Sequence, residues 1–366
     1  MPYLHTSLPE YPIKRDMWDA LAEETRPILV YGMGNGADKL FSRFERYNIT
    51  VSDIFASDGF VRGHSYRGMR VKSFSEVREE YEDFVIVLSF ASSRPEVLEM
   101  LSDMNEKYDL YVPDMPVADE GEFFDREFFN AHYGEILEAY NRLADSDSKN
   151  AFSSIINYKI SGKMKYLEGA YCTKEEMYSL MPLEDIRSII DVGAYNGDTL
   201  REALEFYPRL ERAIAIEPDP KNYKRLAKYL EGERRIDVRA ENACALDVPC
   251  EVAFSVSGNR NSTATATASH ESRSINIPAI TIDSLEADVD YIKYDVEGAE
   301  ARALLGSRKT IERCHPILLV SLYHRSRDIF ELINTLSAYE GYEMRLCRLR
   351  CLPAWEINLI MLPTKE

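Results

Sequence analysis

The chain has 366 residues, of which 45% are hydrophobic and 29% charged, with a formal net charge of −18. That is the make-up of a soluble globular protein long enough for two domains, and so acidic a surface repels nucleic-acid phosphates and anionic lipid. No apolar run approaches the roughly 18 residues that span a bilayer, the opening MPYLHTSLPEYPIKRD lacks the apolar core of a secretory signal, and the six cysteines form no CxxC pair. These features argue against a disulfide framework or a cysteine-held zinc site and point to a cytoplasmic protein with no nucleic-acid or membrane partner.

In chain order, the first strand–glycine loop–helix unit is PILVYGMGNGADKLFSRF, residues 27–44. It predicts a strand at 28–31 and a helix over 37–47, followed by strands at 49–58, 83–90 and 109–113 and a helix over 94–107. From 121 to 181, aromatic and aliphatic residues recur at three- and four-residue spacing. That spacing predicts connecting helices, with a turn at DSDSKN, 145–150.

A second such unit opens at SIIDVGAYNGDTLREALEFY, 188–207. Further strands are predicted at 212–218, 235–244, 252–258, 275–285, 290–298, 316–324, 342–349 and 355–362. Helices fit at 197–207, 219–231, 298–312 and 326–339. The last two strands have no helix between them, which predicts an antiparallel finish. The expected organisation is an α/β protein with a smaller Rossmann-like domain at 1–120, a helical connector at 121–181 and a doubly wound sheet at 182–366.

IIDVGAYNGDT, 189–199, carries the strongest chemical signal. A buried strand ends in Asp191, and Gly193 and Gly197 flank Ala194 and Tyr195 in a tight turn into a helix. Glycines there permit positive φ and close approach of a ligand to the backbone. The next strand ends at Glu217, where a carboxylate would hold a ribose diol. The plain alternatives are turn glycines and a solvated strand end.

DVGAYNGDT, AIEPDP, TIDSL, YIKYDVEGAE and SLYHRSRD, taken in order, resemble the FkbM family of S-adenosylmethionine-dependent methyltransferases from about Leu183 to Leu349. The resemblance implies a class I methyltransferase fold, S-adenosylmethionine as cofactor, and O-methylation of a sugar or glycoconjugate hydroxyl. Asp191, Gly193, Ala194, Tyr195 and Gly197 would then cradle the methionine part, Glu217 the ribose, and Asn242 and Ala243 the adenine. Asp295 would stand where methyl group and acceptor meet. His324, ending a buried strand, would be the general base as a neutral imidazole, with Asp295 and Glu297 as alternatives or as groups orienting the acceptor. His324 would otherwise serve only to bond a neighbouring loop, and Glu297 only to favour a helix start. All three are hard or borderline metal ligands, but nothing in their spacing demands a metal and none is expected.

The stretch 257–274 is rich in Ser and Thr and reads as a flexible loop or a mobile lid. In it Ser257, Gly258 and Asn261 would touch a ligand and His270 would be solvated. The Gly32, Gly34, Gly36 turn, with Asp58 near the end of the next strand, resembles a nucleotide-binding βα turn, although G-x-G-x-G departs from the dinucleotide spacing. It would take a nucleotide or nucleotide-sugar, or serve docking or homodimer contacts. Two other functions compete with methyl transfer: a non-catalytic nucleotide-sugar-binding scaffold, and a dehydrogenase or epimerase using the N-terminal turn.

Overall fold

The structure is a computed structural model that describes residues 6–61, 63–118, 121–255 and 274–364. Its first sheet has five parallel strands in the order Lys72–Ser73, Asp53–Ala56, Ile28–Tyr31, Val85–Leu88 and Asp109–Tyr111. The central two strands are wholly buried, as their unbroken apolar runs require when helices cover both faces. Pattern reading did not reveal the two-residue strand Lys72–Ser73 or the helix Phe74–Glu80 after it. Ser73 and Glu76 start that helix by capping each other's backbone N–H groups.

The connecting segment forms helices Arg126–Arg142, Ser146–Ser161 and Lys174–Ser179. The turn expected at 145–150 is instead a helix start: Asp145 accepts the N–H of Ser148, and the polar run forms the first helical turn. Ser and Asp serve N-caps as readily as turns.

The second sheet has seven strands in the order Asp237–Glu241, Arg212–Ile216, Ser188–Val192, Tyr291–Tyr294, Ile317–Ser321, Ile357–Pro363 and Tyr342–Arg348. The first five run parallel, and Ile357–Pro363 is antiparallel to both of its neighbours. Strand order reverses at Ser188–Val192, so a crevice opens at the carboxyl ends of the central strands.

Two expectations are corrected here. Cys250–Ser255 and Ser274–Ile280 pair antiparallel with each other in a separate three-stranded sheet with Cys244–Ala245, and do not join the seven-stranded one. The helix expected over 298–312 is two, Glu300–Leu305 and Arg308–Cys314. At the break, a Cβ on Gly306 would lie 2.1 Å from the carbonyl oxygen of Leu246, so glycine lets the two backbones touch.

One apolar core runs through the molecule, from Leu29 and Ile86 through Phe129 and Phe152 to Ile190, Val320 and Leu359. Burying each such side chain contributes about 1.5–3 kcal/mol. Polar ties follow the same path. The buried guanidinium of Arg348 donates to the carbonyl oxygens of Leu167, Ala170 and Cys351, fixing the connector to the sheet end. The chain leaving the first sheet passes behind the second: Ala118 N–H donates to the carbonyl oxygen of His324 at 2.9 Å, and Glu122 accepts from Arg327 at 2.6 Å. Among the described residues no helix is long and apolar enough to cross a membrane.

Candidate active site

At the switch point the sheet ends enclose a cavity of about 620 Å³. One wall is the turn after Ser188–Val192. Gly193 has φ +94°, and a Cβ there would fall 1.9 Å from the carbonyl oxygen of Asp295. Its N–H and that of Ala194 both donate to the carbonyl of Ile216 at 2.9 Å, binding the turn to the neighbouring strand. Tyr195, at φ +46°, donates its N–H to a carboxylate oxygen of Glu217 at 2.7 Å.

Glu217 is 5% exposed, and its other oxygen accepts the N–H of Asp219 at 2.8 Å. Burial, outweighing those two bonds, pushes its carboxyl up to about 7. Asn242 donates to the carbonyl oxygens of Glu217 and Pro218 at 2.8 and 3.0 Å, and so fixes the strand end. Beyond it Ala243, Leu246 and Phe254 line an apolar end of the cavity.

Of the expected cofactor residues, Gly193, Tyr195, Glu217 and Ala243 line the cavity. The other four stand behind the wall. Ala194 packs with Ala215 and Leu226, and Gly197 turns the chain at φ +85° against Leu226 and Tyr229. Asp191 is 2% exposed, and neither of its oxygens finds a hydrogen-bond partner among the described residues. Burial lifts its carboxyl to about 7, against the pull of Lys293 opposite it in the next strand. Asn242 acts through Glu217.

The opposite end carries the dense charge. Asp295 receives Lys293 Nζ at 3.2 Å, Ser321 Oγ at 3.1 Å and Tyr323 Oη at 3.3 Å. Burial alone would raise its pKa, but Lys293 and His324 outweigh burial and hold it below the usual carboxylate range. Lys293 also donates to Thr199 Oγ1 at 3.0 Å. Burial opposes its charge as well, yet Asp295, Asp191 and Asp198 keep its pKa above the ordinary lysine value.

The structure places His324 behind the cavity wall. Its side chain is fully buried and does not line the cavity. Nδ1 lies 2.9 Å from Glu300 Oε1, and Nε2 lies 3.5 Å from Asp295 Oδ1 and 3.6 Å from Glu297 Oε2. Burial disfavours its charge, but the three carboxylates prevail and raise its pKa to about 10. Glu297 does reach the cavity, presented by a left-handed turn with φ +52° at Glu297 and +96° at Gly298.

Sequence reading missed Lys293 and Glu300. Lys293 had a signal, since it sits two residues before Asp295 on one strand and so shares its face. The far wall, with Tyr171, Thr173, Lys174 and Arg350, comes from the connector and the final hairpin. Among the described residues that line the cavity, six carboxylates (Asp198, Glu202, Glu217, Asp295, Glu297 and Glu356) stand against three cations, Lys174, Lys293 and Arg350.

In the first sheet the glycine turn is explained by packing. A Cβ on Gly36 would meet the carbonyl oxygen of Ser89 at 1.9 Å, and one on Gly32 would meet Ser89 Oγ at 2.6 Å. Gly34 forms the N-cap of the helix Asn35–Tyr47, and the Asp58 carboxylate is engaged by the N–H and hydroxyl of Ser75. Ser257, Gly258, Asn261 and His270 of the expected lid lie outside the described residues.

Residues 191–344 match the family model for the Methyltransferase FkbM domain, within the span that the motifs marked. Methyltransferase FkbM from Methylobacillus flagellatus KT has a similar structure, with a TM-score of 0.68 and 19% identity over 96% of this chain and 94% of that one. A putative rRNA-methylase from Clostridium thermocellum gives a TM-score of 0.36 at 10% identity, over 52% of this chain and 96% of that one. Fibrillarin from Aeropyrum pernix, in complex with natively bound S-adenosyl-L-methionine, gives 0.35 at 13%, over 51% and 74%. No curated protein matches the chain. The segment that builds most of the cavity is thus similar to the Methyltransferase FkbM domain, within a fold shared almost end to end with the Methylobacillus protein, and this supports a methyltransferase.

Proposed function

We propose that the chain is an S-adenosylmethionine-dependent methyltransferase acting on a hydroxyl of a saccharide or glycoconjugate. The observation that carries this reading is the one cavity bounded by Gly193 and Glu217 at one end and by Asp295 and Glu297 at the other, with a twofold excess of carboxylates. That excess suits a sulfonium cation. Each oxygen of Glu217 accepts one backbone N–H, and each keeps a lone pair for one of two ribose hydroxyls. Ala243, Leu246 and Phe254 offer adenine an apolar slot, and Gly193 and Tyr195 border the methionine part. Asp191, Ala194, Gly197 and Asn242 shape the wall from behind.

When bound, the cofactor supplies a methyl group on a positively charged sulfur. The protein's task is to align the acceptor oxygen and take its proton. Alignment contributes up to roughly 7–11 kcal/mol in the best intramolecular systems, and a positioned base about 10²–10⁴-fold. At the end opposite Glu217, Asp295 and Glu297 face the cavity and can receive that proton. Lys293 and Tyr323 hold Asp295 in place, and Tyr171 at the mouth, 39% exposed, offers a sugar ring an aromatic face. A binding scaffold would have no use for so much buried charge at its strand tips.

Calorimetry with S-adenosylhomocysteine tests the cofactor half. Glu217→Ala removes two hydrogen bonds to a charged acceptor, each worth about 1.5–3 kcal/mol, so affinity should drop about a hundredfold or more. Absence of heat with the wild-type chain would end this reading. The pH dependence has a definite sign. With the Glu217 and Asp191 carboxyls near 7, binding of S-adenosylmethionine should tighten as pH rises through 7, weakening about tenfold per unit below it for one protonating carboxyl. A flat profile from pH 5.5 to 8.5 would show that neither ionisation matters. For the acceptor, mass spectrometry of glycans and small metabolites should reveal a species that lacks one methyl group when the gene is deleted.

A further inference from the structure

The Asp295–His324 cluster contains more buried carboxylate than a proton-accepting site needs. We propose that Asp295, Glu300 and His324 form the protein face of a divalent-cation site, for an ion of the Mn²⁺ or Zn²⁺ class, in the floor of the cavity. Each of the three offers one oxygen or nitrogen, and these atoms all lie within 4.8 Å of one another. The spacing of residues along the chain demanded no metal; the fold adds Glu300, which spacing did not mark.

Unsatisfied atoms point the same way. His324 is 0% and Glu300 1% exposed, yet Glu300 Oε2 and both ring nitrogens of His324 have no aligned hydrogen bond among the described residues. The 2.9 Å approach of Nδ1 to Glu300 Oε1 is an ionic contact out of line for a hydrogen bond. A buried polar atom left without a partner costs about 1–3 kcal/mol. A divalent cation between these groups, taking the place of a proton on the His324 ring, would satisfy several such atoms at once.

The surroundings also favour a cation. Glu297 brings a further carboxylate oxygen to 3.6 Å from Nε2, held there in a left-handed conformation that non-glycine residues seldom adopt. Asp328 is buried beside the cluster. Four carboxylates thus gather around one imidazole. One nitrogen with carboxylate oxygens suits Mn²⁺, Fe²⁺ or Zn²⁺ better than Ca²⁺ or Mg²⁺, which prefer oxygen alone. Asp295 and Glu297 also line the cavity, so an ion held here would keep open positions toward a ligand, as catalytic metal sites do. There it would polarise an acceptor oxygen. That use rests on the methyl-transfer reading; the binding does not.

The test is electron paramagnetic resonance of Mn²⁺ titrated into chelator-treated full-length protein, with calorimetry of S-adenosylhomocysteine run in parallel. The wild type should remove one equivalent of Mn²⁺ from the free signal. Asp295→Asn, near-isosteric with its side chain 25% exposed, and Glu300→Gln should each bind Mn²⁺ about tenfold or more weakly, while circular dichroism shows the fold intact. If Glu300→Gln fails to fold, Asp295→Asn decides alone. Wild-type protein that leaves all Mn²⁺ free, or a folded Asp295→Asn that binds it equally well, overturns the proposal. Nucleoside binding without Mn²⁺ binding would defeat the metal site and leave the cofactor reading standing; the reverse would do the opposite.

Discussion

Gly193→Ala is expected to lose cofactor-site binding and to melt well below the wild type. The native φ of +94° is strained for any residue with a side chain, and the new methyl carbon would sit 1.9 Å from the Asp295 carbonyl oxygen. Strain of about 1–3 kcal/mol and overpacking of about 1–3 kcal/mol together cost about 2–6 kcal/mol. The clash is with backbone, which cannot rotate away. The turn must separate from the Tyr291–Tyr294 strand end, and that moves Gly193 and Asp295 apart. Thermal denaturation reads the first effect and S-adenosylhomocysteine calorimetry the second. Gly197→Ala gives a graded control, because its neighbours are the side chains of Tyr229 and Leu226 at 3.0 and 3.1 Å. Equal stability of Gly193→Ala and wild type would show that the turn is not held as described.

His324→Ala should be the most damaging change at the reaction end. It removes the positive partner from Asp295, Glu297 and Glu300 while leaving their carboxylates in place. Breaking a buried ion pair by deleting one partner costs about 3–5 kcal/mol. Its signature is a dependence on pH. A histidine pKa raised from 6.5 to about 10 contributes stability that is complete below about 6.5 and is lost as pH rises through 10. The gap in melting temperature between wild type and variant should therefore be widest near neutrality and narrow toward pH 10. A gap that widens on the alkaline side would mean that the imidazole is neutral in the fold. Turnover should fall as well, through displacement of Asp295 and Glu297.

Much of the scaffold can be read from local patterns. In the second sheet four apolar runs, each followed by a helix signal, mark parallel strands, and the two strands without an intervening helix mark the antiparallel edge. The glycine turn and Glu217 are legible because both stand at the carboxyl ends of neighbouring strands, where the crevice of such a sheet opens. What escaped depends on long-range assembly. The wall at Tyr171–Lys174 exists only because Cys172 pairs with Leu349 and Ser92 with Leu352 in isolated bridges. The charge on His324 depends on Glu300, brought to it by the start of a separate helix, and no propensity of the residue itself could reveal that. The small sheet of Cys244–Ala245, Cys250–Ser255 and Ser274–Ile280 escaped for a related reason: strand signals do not say which sheet a strand will join.

The path of Ala118 has a consequence for any attempt to divide this protein. Its backbone amide holds the carbonyl of His324, and its methyl group occupies the space a Gly298 side chain would need, 2.6 Å from that missing Cβ. The segment that leaves the smaller sheet therefore braces the loops on which the charged residues stand. A fragment trimmed to the later sheet would keep every acidic side chain of the reaction end and yet lose the rear support that sets their spacing. Mechanical load applied to either half would be felt at the other.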